Sequence, residues 1–359
     1  MGIPTFRIGN LEMKLFQGGM GVGISGWRLA SAVANEGGAG IIAGVEWGTL
    51  KGYPGKHDEA NMNALRHEIR QAKKAITNPR GVLGVNIMKV LSKYEGLVEV
   101  SVQEKVCFIT SGAGDPFPID LPKYVPRESG IILVPIVSSA KGARLVCKRW
   151  KKQFDYIPDA IVVEGPKAGG HLGFKPEELA NFEFVESYLR REIPEVVRVV
   201  RQYEIEKGVY IPVIAAGGIF SGADIKEARL WGADGVQMAT RFVPTYECDA
   251  SLEFKQTYID CKNGDLKIIC SPVGLPGRVI DGDFVFEDPN HGCRSHCLRT
   301  CRPSESPYCI ADALINAQKG DLQKGFVFAG SNAYKCNEII SVSELMGQLD
   351  SEYDKAMSS

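Results

Sequence analysis

Eight short apolar runs, separated by segments of helical length, constrain the fold of this chain more than any other feature. Several runs are apolar on successive residues, as in Ile131-Ile132-Leu133-Val134, which indicates strands covered on both faces and hence a parallel sheet. The predicted strands are residues 14–17, 39–43, 82–87, 106–110, 131–137, 160–163, 213–216 and 235–238. Eight strand–helix units close a (β/α)8 barrel, so the fold class is α/β.

The segments between the strands support this prediction, and the C-terminal part departs from it. Crossover helices are expected at residues 26–35, 63–76, 142–153, 184–203 and 223–230. Residues 46–62, rich in Gly, Lys and His, are predicted as a long loop after the second strand.

The C-terminal part carries two further signals. Residues 271–278, SPVGLPGR, are predicted as an ordered turn that is neither helix nor central strand. A last helix should start at Ser341, with Glu344 at capping-box spacing. We therefore divide the chain into a barrel, residues 1–245, and an appended substrate-covering segment, residues 246–359, that packs over the barrel mouth and back onto the barrel.

Charge and composition exclude several classes of function. The 42 Lys and Arg nearly balance 43 Asp and Glu, and no long basic block is present, which argues against a nucleic-acid partner. No run approaches the roughly eighteen apolar residues that span a bilayer, so no membrane partner is expected. No export signal is recognised, so a cytoplasmic protein is expected, and its ten cysteines are interpreted as thiols or metal ligands instead of disulfides.

Residues 21–26, GVGISG, match the GxGxxG pattern of dinucleotide-binding sites. They follow a predicted strand and precede a predicted helix, and Glu46 lies about twenty residues later, as that site requires. A Rossmann half uses about three strands, however, and leaves the continuing strand–helix series unexplained. The barrel interpretation instead makes residues 17–21 a glycine loop that lets the backbone approach a flat ligand.

Two later glycine clusters indicate a phosphate site. Gly217 and Gly218 end the seventh strand before a helix starting near Ser221, and residues 235–241, GVQMATR, hold the eighth strand. Barrels often bind phosphate with the loops after these two strands, using backbone N–H groups and a helix N-terminus. The alternative is that these glycines only make tight turns.

His171 is the strongest candidate for a catalytic side chain. It ends the bend Ala168-Gly169-Gly170-His171 after the sixth strand, at the barrel edge where such proteins carry out chemistry. An imidazole there can take or return a proton near neutral pH. Asn86 could bind a polar ring edge or only cap a turn, whereas His57 and His67 are expected at the surface.

Cys293, Cys297, Cys301 and Cys309 form an unusual cluster in the C-terminal segment, with His291 and His296 nearby. Structural zinc usually uses closer CxxC pairs, so the ligand signal is weak. We predict no metal site; free thiols are favoured, while a metal or iron–sulfur site and a redox pair stay open as alternatives.

Five motifs together resemble the nitronate monooxygenase (2-nitropropane dioxygenase) family, which is related to the flavin-dependent enoyl-acyl-carrier-protein reductases. The similarity covers most of residues 10–330. The motifs are QGGM at 17–20, VNIM at 85–88, AGGH at 168–171, AAGGI at 215–219 and GADGVQMATRF at 232–242. The resemblance implies a TIM barrel, non-covalent FMN, and a small-molecule substrate with O2.

The resemblance also implies roles for individual residues. His171 matches the catalytic histidine of the family. The residues placed against the flavin ring or ribityl chain are Gly19, Met20, Gly21, Asn86 and Glu164. Those placed at the phosphate are Gly217, Gly218, Gln237 and Thr240.

Three departures bear on the substrate. Lys167 stands where relatives carry an acidic residue, Ala239 replaces a common glycine, and Glu164 is closer to the reductase branch. The predicted function remains nitronate oxidation with O2. The first alternative is an NAD(P)H-dependent enoyl thioester reductase, and the second is a non-catalytic FMN-binding redox sensor. The oligomeric state stays open, with a homodimer as one arrangement.

Overall fold

A computed structural model describes residues 2–113, 120–287, 297–299 and 301–359. Its centre is a closed barrel of eight parallel strands, which confirms the predicted fold class. In the order in which they pair around the barrel, the strands are β3 (Phe16–Gln17), β4 (Ala39–Ala43), β5 (Val82–Met88), β6 (Phe108–Gly112), β7 (Ile132–Val137), β8 (Ile161–Glu164), β10 (Val213–Ala216) and β11 (Gly235–Met238).

An N-terminal hairpin closes the amino end of this barrel. The hairpin pairs β1 (Phe6–Ile8) with β2 (Leu11–Met13). Phe6 and Met13 are buried with Phe16 and Phe108 in a separate interior cluster. The barrel is thus a packed core at this end, and ligands must approach from the carboxyl ends of the strands.

Helices surround the barrel and connect its strands. They are α1 (Trp27–Asn35), α2 (Trp47–Lys51), α3 (His57–Ala75), α4 (Tyr94–Gln103), α5 (Leu121–Tyr124), α6 (Ala140–Phe154), α7 (Pro176–Ala180), α8 (Phe182–Lys207), α9 (Gly222–Leu230), α10 (Leu252–Asp260), α11 (Ile310–Gln318) and α12 (Val342–Ser358). Short 3-10 turns cover Arg127–Ser129, Thr240–Phe242, Asn263–Asp265 and Ala333–Lys335. In the described part of the chain, no helix has the length and apolar run needed to cross a bilayer.

The prediction of one long loop over residues 46–62 was wrong. This stretch contains α2, and α3 begins at His57. His57 is not a surface residue either, because its side chain is 18% exposed and its Nε2 lies 2.9 Å from a carboxylate oxygen of Glu46. The buried Glu46 thereby acts as an anchor for the start of α3, a polar contact that composition does not reveal.

The C-terminal segment, together with residues 170–171 of the barrel part, forms a small antiparallel sheet beside the barrel mouth. Its strands are β9 (Gly170–His171), β12 (Leu266–Cys270), β13 (Pro276–Ile280) and β14 (Val327–Phe328). The predicted turn over residues 271–278 was correct for residues 271–275. It was wrong for residues 276–278, because these begin β13, the central strand of the small sheet. Pro276 is tolerated there because it is the first residue of the strand.

The last helix begins as predicted. Ser341 caps α12 through a capping box with Glu344. Leu345, Met346 and Leu349 are fully or almost fully buried, and α12 packs against α9. The C-terminal segment therefore contacts the barrel both at its mouth and on its outer helical layer.

Candidate active site

Polar side chains point into the upper interior of the barrel. Side chains alternate along a strand, and Val82, Val162 and Gly235 mark the inward-facing parity of β5, β8 and β11. Asn86, Glu164 and Gln237 therefore face inward near the carboxyl ends of these strands. Ala216 pairs in register with both Glu164 and Gln237.

Thr110 completes this polar ring, and sequence analysis missed it. It pairs with Asn86 across β5 and β6, is 1% exposed, and its hydroxyl is buried without a partner in the described chain. Buried hydroxyls normally have a partner. An inward-facing polar residue in an otherwise apolar strand was the signal that could have found it.

Glu164 lies in a strongly desolvated position. Burial raises the pKa of its carboxyl group to about 7, and no described residue donates a hydrogen bond to it. A carboxyl group in this state can exist as a neutral acid near pH 7, so it can donate as well as accept a hydrogen bond.

The glycine loop after β3 packs closely against β5. A Cβ on Gly19 would lie 2.5 Å from the Cβ of Asn86, and Asn86 Nδ2 donates to the Gly19 carbonyl oxygen over 3.3 Å. Gly21 similarly faces Val45 without room for a side chain. Met20 lies between them, held by a 2.8 Å bond from its amide to Ser25 Oγ. The loop thus packs its backbone against Asn86 and Val45, with no room for a side chain at Gly19 or Gly21.

Residues 21–26 do not form a dinucleotide site. The amides that start α1 are occupied, because Gly26 donates to Asp249 over 2.9 Å and Trp27 donates to Glu68 over 3.0 Å. Two carboxylates at this helix N-terminus would repel a pyrophosphate. The barrel interpretation of this glycine pattern is the one that fits.

The glycine turn after β10 offers free donors. Gly217 and Gly218 both have φ near +89°, a backbone conformation that favours glycine. Their amides donate to no acceptor in the described part of the chain. Thr240, after β11, lies beside Gly330, where a Cβ would be 2.5 Å from the Thr240 hydroxyl. These groups form a glycine-lined cradle with unused N–H donors.

The expected contribution of the helix near Ser221 is absent. The amides of Phe220 and Ser221 bond to Asp224, and the amide of Gly222 bonds to Glu352 over 2.9 Å. The N-terminus of α9 is thus capped by carboxylates. An anion at this edge must use the Gly217–Gly218 turn and the start of the Thr240 turn instead.

His171 is positioned by the C-terminal sheet. It pairs with Gly277 of β13, its Nε2 lies 2.8 Å from Ser271 Oγ, and its ring contacts Phe328 edge-on at a centroid distance of 5.0 Å. Burial lowers the pKa of this imidazole to about 4. The lowered pKa favours the neutral imidazole, in which one ring nitrogen donates a hydrogen bond and the other accepts one.

Ser271 was also missed as a functional residue. It is 3% exposed and lies in the turn between β12 and β13. The SPVGLPGR motif predicted the turn, but nothing in it indicated a contact with a histidine one hundred positions earlier.

Three of the four clustered cysteines lie in the described part of the chain. Cys293, His291 and His296 lie outside the residues that the structure describes. Cys297 and Cys309 are buried and Cys301 is partly buried. No group of three or more metal-binding side chains is found among the described residues.

Sequence comparison connects this chain with known oxidoreductases. A family model described as nitronate monooxygenase matches residues 5–91 and 83–352. A (3aS,4S,5R,7aS)-5-hydroxy-7a-methyl-1-oxo-octahydro-1H-indene-4-carboxyl-CoA dehydrogenase of Mycobacterium tuberculosis is 29% identical, over 79% of this chain and 67% of that protein. A probable nitronate monooxygenase of Staphylococcus aureus is 28% identical, over 77% of this chain and 78% of that protein. For the dehydrogenase, the match thus spans about two thirds of its length.

Solved structures show the same architecture. FabK from Thermotoga maritima is 27% identical and superimposes with a TM-score of 0.73, covering 98% of this chain and 96% of that one. A nitroalkane oxidase from Streptomyces ansochromogenes, 20% identical, superimposes with a TM-score of 0.68, over 96% of this chain and 97% of that one. The latter likeness extends to the fold alone.

Proposed function

Because the chain belongs to the nitronate monooxygenase family, we propose that it is an FMN-dependent oxidoreductase that oxidises alkyl nitronates with O2. The observation that carries this proposal is the His171 imidazole, hydrogen-bonded to Ser271 beside a barrel mouth with unused hydrogen-bond donors. The relatives are oxidoreductases, which supports the reaction class, and the probable nitronate monooxygenase of Staphylococcus aureus supports the choice of a nitronate as substrate.

The residues present fit FMN in two respects. The free amides of Gly217 and Gly218 match the need of a phosphate for backbone donors. The unpartnered Thr110 hydroxyl and the amide group of Asn86 offer hydrogen bonds to a polar ring edge. When bound, FMN would supply the electron acceptor for the substrate and pass the electrons to O2.

His171 would act on the substrate. Ser271 occupies its Nε2, and no described residue bonds to Nδ1, so Nδ1 is the nitrogen that remains for a ligand. A neutral imidazole there orients a nitronate through a hydrogen bond, or takes a proton from a neutral nitroalkane. The surrounding Phe328 ring limits water around the imidazole.

A second candidate is an NAD(P)H-dependent enoyl thioester reductase. It is favoured by the similarity to a CoA-thioester dehydrogenase and to FabK. In that reaction His171 would help to protonate the substrate after the hydride has been transferred. NAD(P)H would then be a second small-molecule partner.

A pair of assays separates the candidates. We expect O2 uptake with propionate 3-nitronate in the absence of NADPH, by a protein whose spectrum shows flavin bands. NADPH oxidation that requires a crotonyl thioester, without nitronate turnover, would assign the reductase activity instead. A yellow protein that turns over neither substrate supports the non-catalytic sensor, and a protein that binds no flavin overturns all three.

A further inference from the structure

Arg278 is a buried cation next to the site, and sequence analysis gave it no role. It is 7% exposed and lies in β13, immediately after the residue that pairs with His171. Among the residues that the structure describes, no carboxylate forms an ion pair with it, and its hydrogen-bond partners are two carbonyl oxygens. Burial lowers the pKa of its guanidinium to about 10, so the group stays charged at pH 7. A buried charge without a counter-ion is costly, which suggests that an anion completes its surroundings.

The guanidinium holds the loop between β8 and His171. Its Nη1 donates to the carbonyl oxygens of Pro166 and Ala168 over 2.8 and 3.0 Å. The carbonyl between them, that of Lys167, accepts a 3.0 Å bond from the amide of Ser331. Three successive carbonyls of this loop are thus fixed by the C-terminal segment.

This loop is also one wall of the glycine cradle. A Cβ on Gly217 would lie 2.7 Å from the carbonyl oxygen of Gly165 and 3.1 Å from the amide of Ala168. Because side chains alternate along β13, Arg278 points to the face of the small sheet opposite His171, toward this loop. The two residues therefore serve different parts of the site.

We propose that Arg278 is a positioning residue that fixes the 165–168 loop and supplies the positive charge that selects the phosphorylated flavin, FMN, over uncharged riboflavin. This inference rests on the proposed use of FMN. A guanidinium suits the role because it has five N–H donors. It can donate to two carbonyls and still offer N–H groups to a phosphate. The phosphate dianion would then be the missing counter-ion.

The test compares FMN and riboflavin binding to flavin-free protein. Flavin fluorescence titrations would give the ratio of the two dissociation constants for the wild type, R278M, R278K and R278Q. Met matches the length of the side chain without charge or donors, Lys keeps the charge, and Gln keeps donors without charge. R198M, which removes an exposed arginine on α8, is the matched control.

We expect the preference for FMN over riboflavin to fall at least about tenfold in R278M and R278Q, equivalent to about 1.4 kcal/mol. R278K should keep most of the preference but lower kcat, because an ammonium holds the two carbonyls less rigidly. R198M should behave as the wild type. If R278M does not fold, as judged by circular dichroism, R278Q carries the same measurement.

An unchanged ratio in R278M or R278Q would overturn the role of Arg278 while leaving FMN dependence intact. Wild-type protein that binds neither flavin would instead refute the proposed function. Equal loss of FMN and riboflavin binding would show that Arg278 supports the fold alone and does not select the phosphate. The test of this role is therefore the ratio of the two dissociation constants and not the enzyme activity.

Discussion

At the scale of single residues, the proposed chemistry depends on the contact between His171 and Ser271. We expect His171→Ala to keep the flavin colour but to lose roughly two to four powers of ten in turnover, as for loss of a proton-transfer group. Ser271→Ala should cost less, about five- to tenfold, because it removes one hydrogen bond that orients the ring. Steady-state O2 uptake with a nitronate measures both.

Ser129→Ala, at an exposed position away from the barrel mouth, is the control and should leave kcat unchanged. Wild-type turnover in His171→Ala would remove this residue from the mechanism. A Ser271→Ala loss as large as that of His171→Ala would mean that the hydroxyl itself contacts the substrate.

How far sequence predicts the site depends on how local the contact is. His171 and the Gly217–Gly218 turn were predicted because their glycines mark bends at strand ends. Thr110 and Ser271 were not, because what distinguishes them is tertiary: Thr110 lies in register with Asn86 of the neighbouring strand, and Ser271 contacts His171. The functional roles of the flavin-site residues remain predictions.

At the scale of secondary-structure elements, two ion pairs attach α12 to the barrel: Lys14 with Asp350, and Arg241 with Glu352. Arg241 donates to both carboxylate oxygens of Glu352 over 2.9 and 2.8 Å, and to Gln348. The same carboxylate accepts from the amide of Gly222 at the start of α9. Although burial opposes it, these bonds lower the pKa of Glu352 below 4.5.

We expect Glu352→Ala to lower the free energy of unfolding by about 1–2 kcal/mol at pH 7, since it removes two hydrogen bonds from Arg241 and leaves the Gly222 amide without its acceptor. Because the folded pKa is lowered, this stabilisation is present above pH 4.5 and is lost as the pH falls further. Urea unfolding of the variant and wild type at pH 7 and pH 4 measures the difference.

Ser351→Ala, an exposed neighbour on α12, serves as the control and should differ little from the wild type. A difference between Glu352→Ala and wild type that stays constant from pH 7 to pH 4 would contradict the ionic origin of the stabilisation.

The barrel strands were predictable because they are short apolar runs flanked by glycines. Such runs are typical of parallel strands that are buried on both faces. The predicted bounds differ from those of the structure by at most two residues at either end. The β12–β13 hairpin was only half predicted, since proline and glycine in residues 271–278 suggest a turn and hide the strand after it. Its pairing with β9 is a tertiary contact that overrides local preference.

At the scale of the whole molecule, the C-terminal segment contacts both the candidate site and the outer layer of helices around the barrel. Its β13 pairs with the strand that carries His171, and its α12 covers α9. Asn332 reaches the Gly218 carbonyl oxygen over 2.7 Å. The division at residues 245 and 246 remains a proposal, and these contacts suggest that the two parts do not unfold separately.

We therefore predict a single unfolding transition that FMN shifts as a whole. All four tryptophans lie before residue 246, so their fluorescence reports on the barrel, whereas far-ultraviolet circular dichroism reports on the whole chain. Urea curves from the two probes should coincide without FMN. With free FMN at a hundred times its dissociation constant, both should shift together by about 2.7 kcal/mol, because FMN binds only the folded state.

Riboflavin at the same multiple of its own dissociation constant controls for flavin absorbance and should give an equal shift. Two separated transitions, of which FMN moves only the tryptophan-reported one, would show that the C-terminal segment folds independently and does not help to build the flavin site.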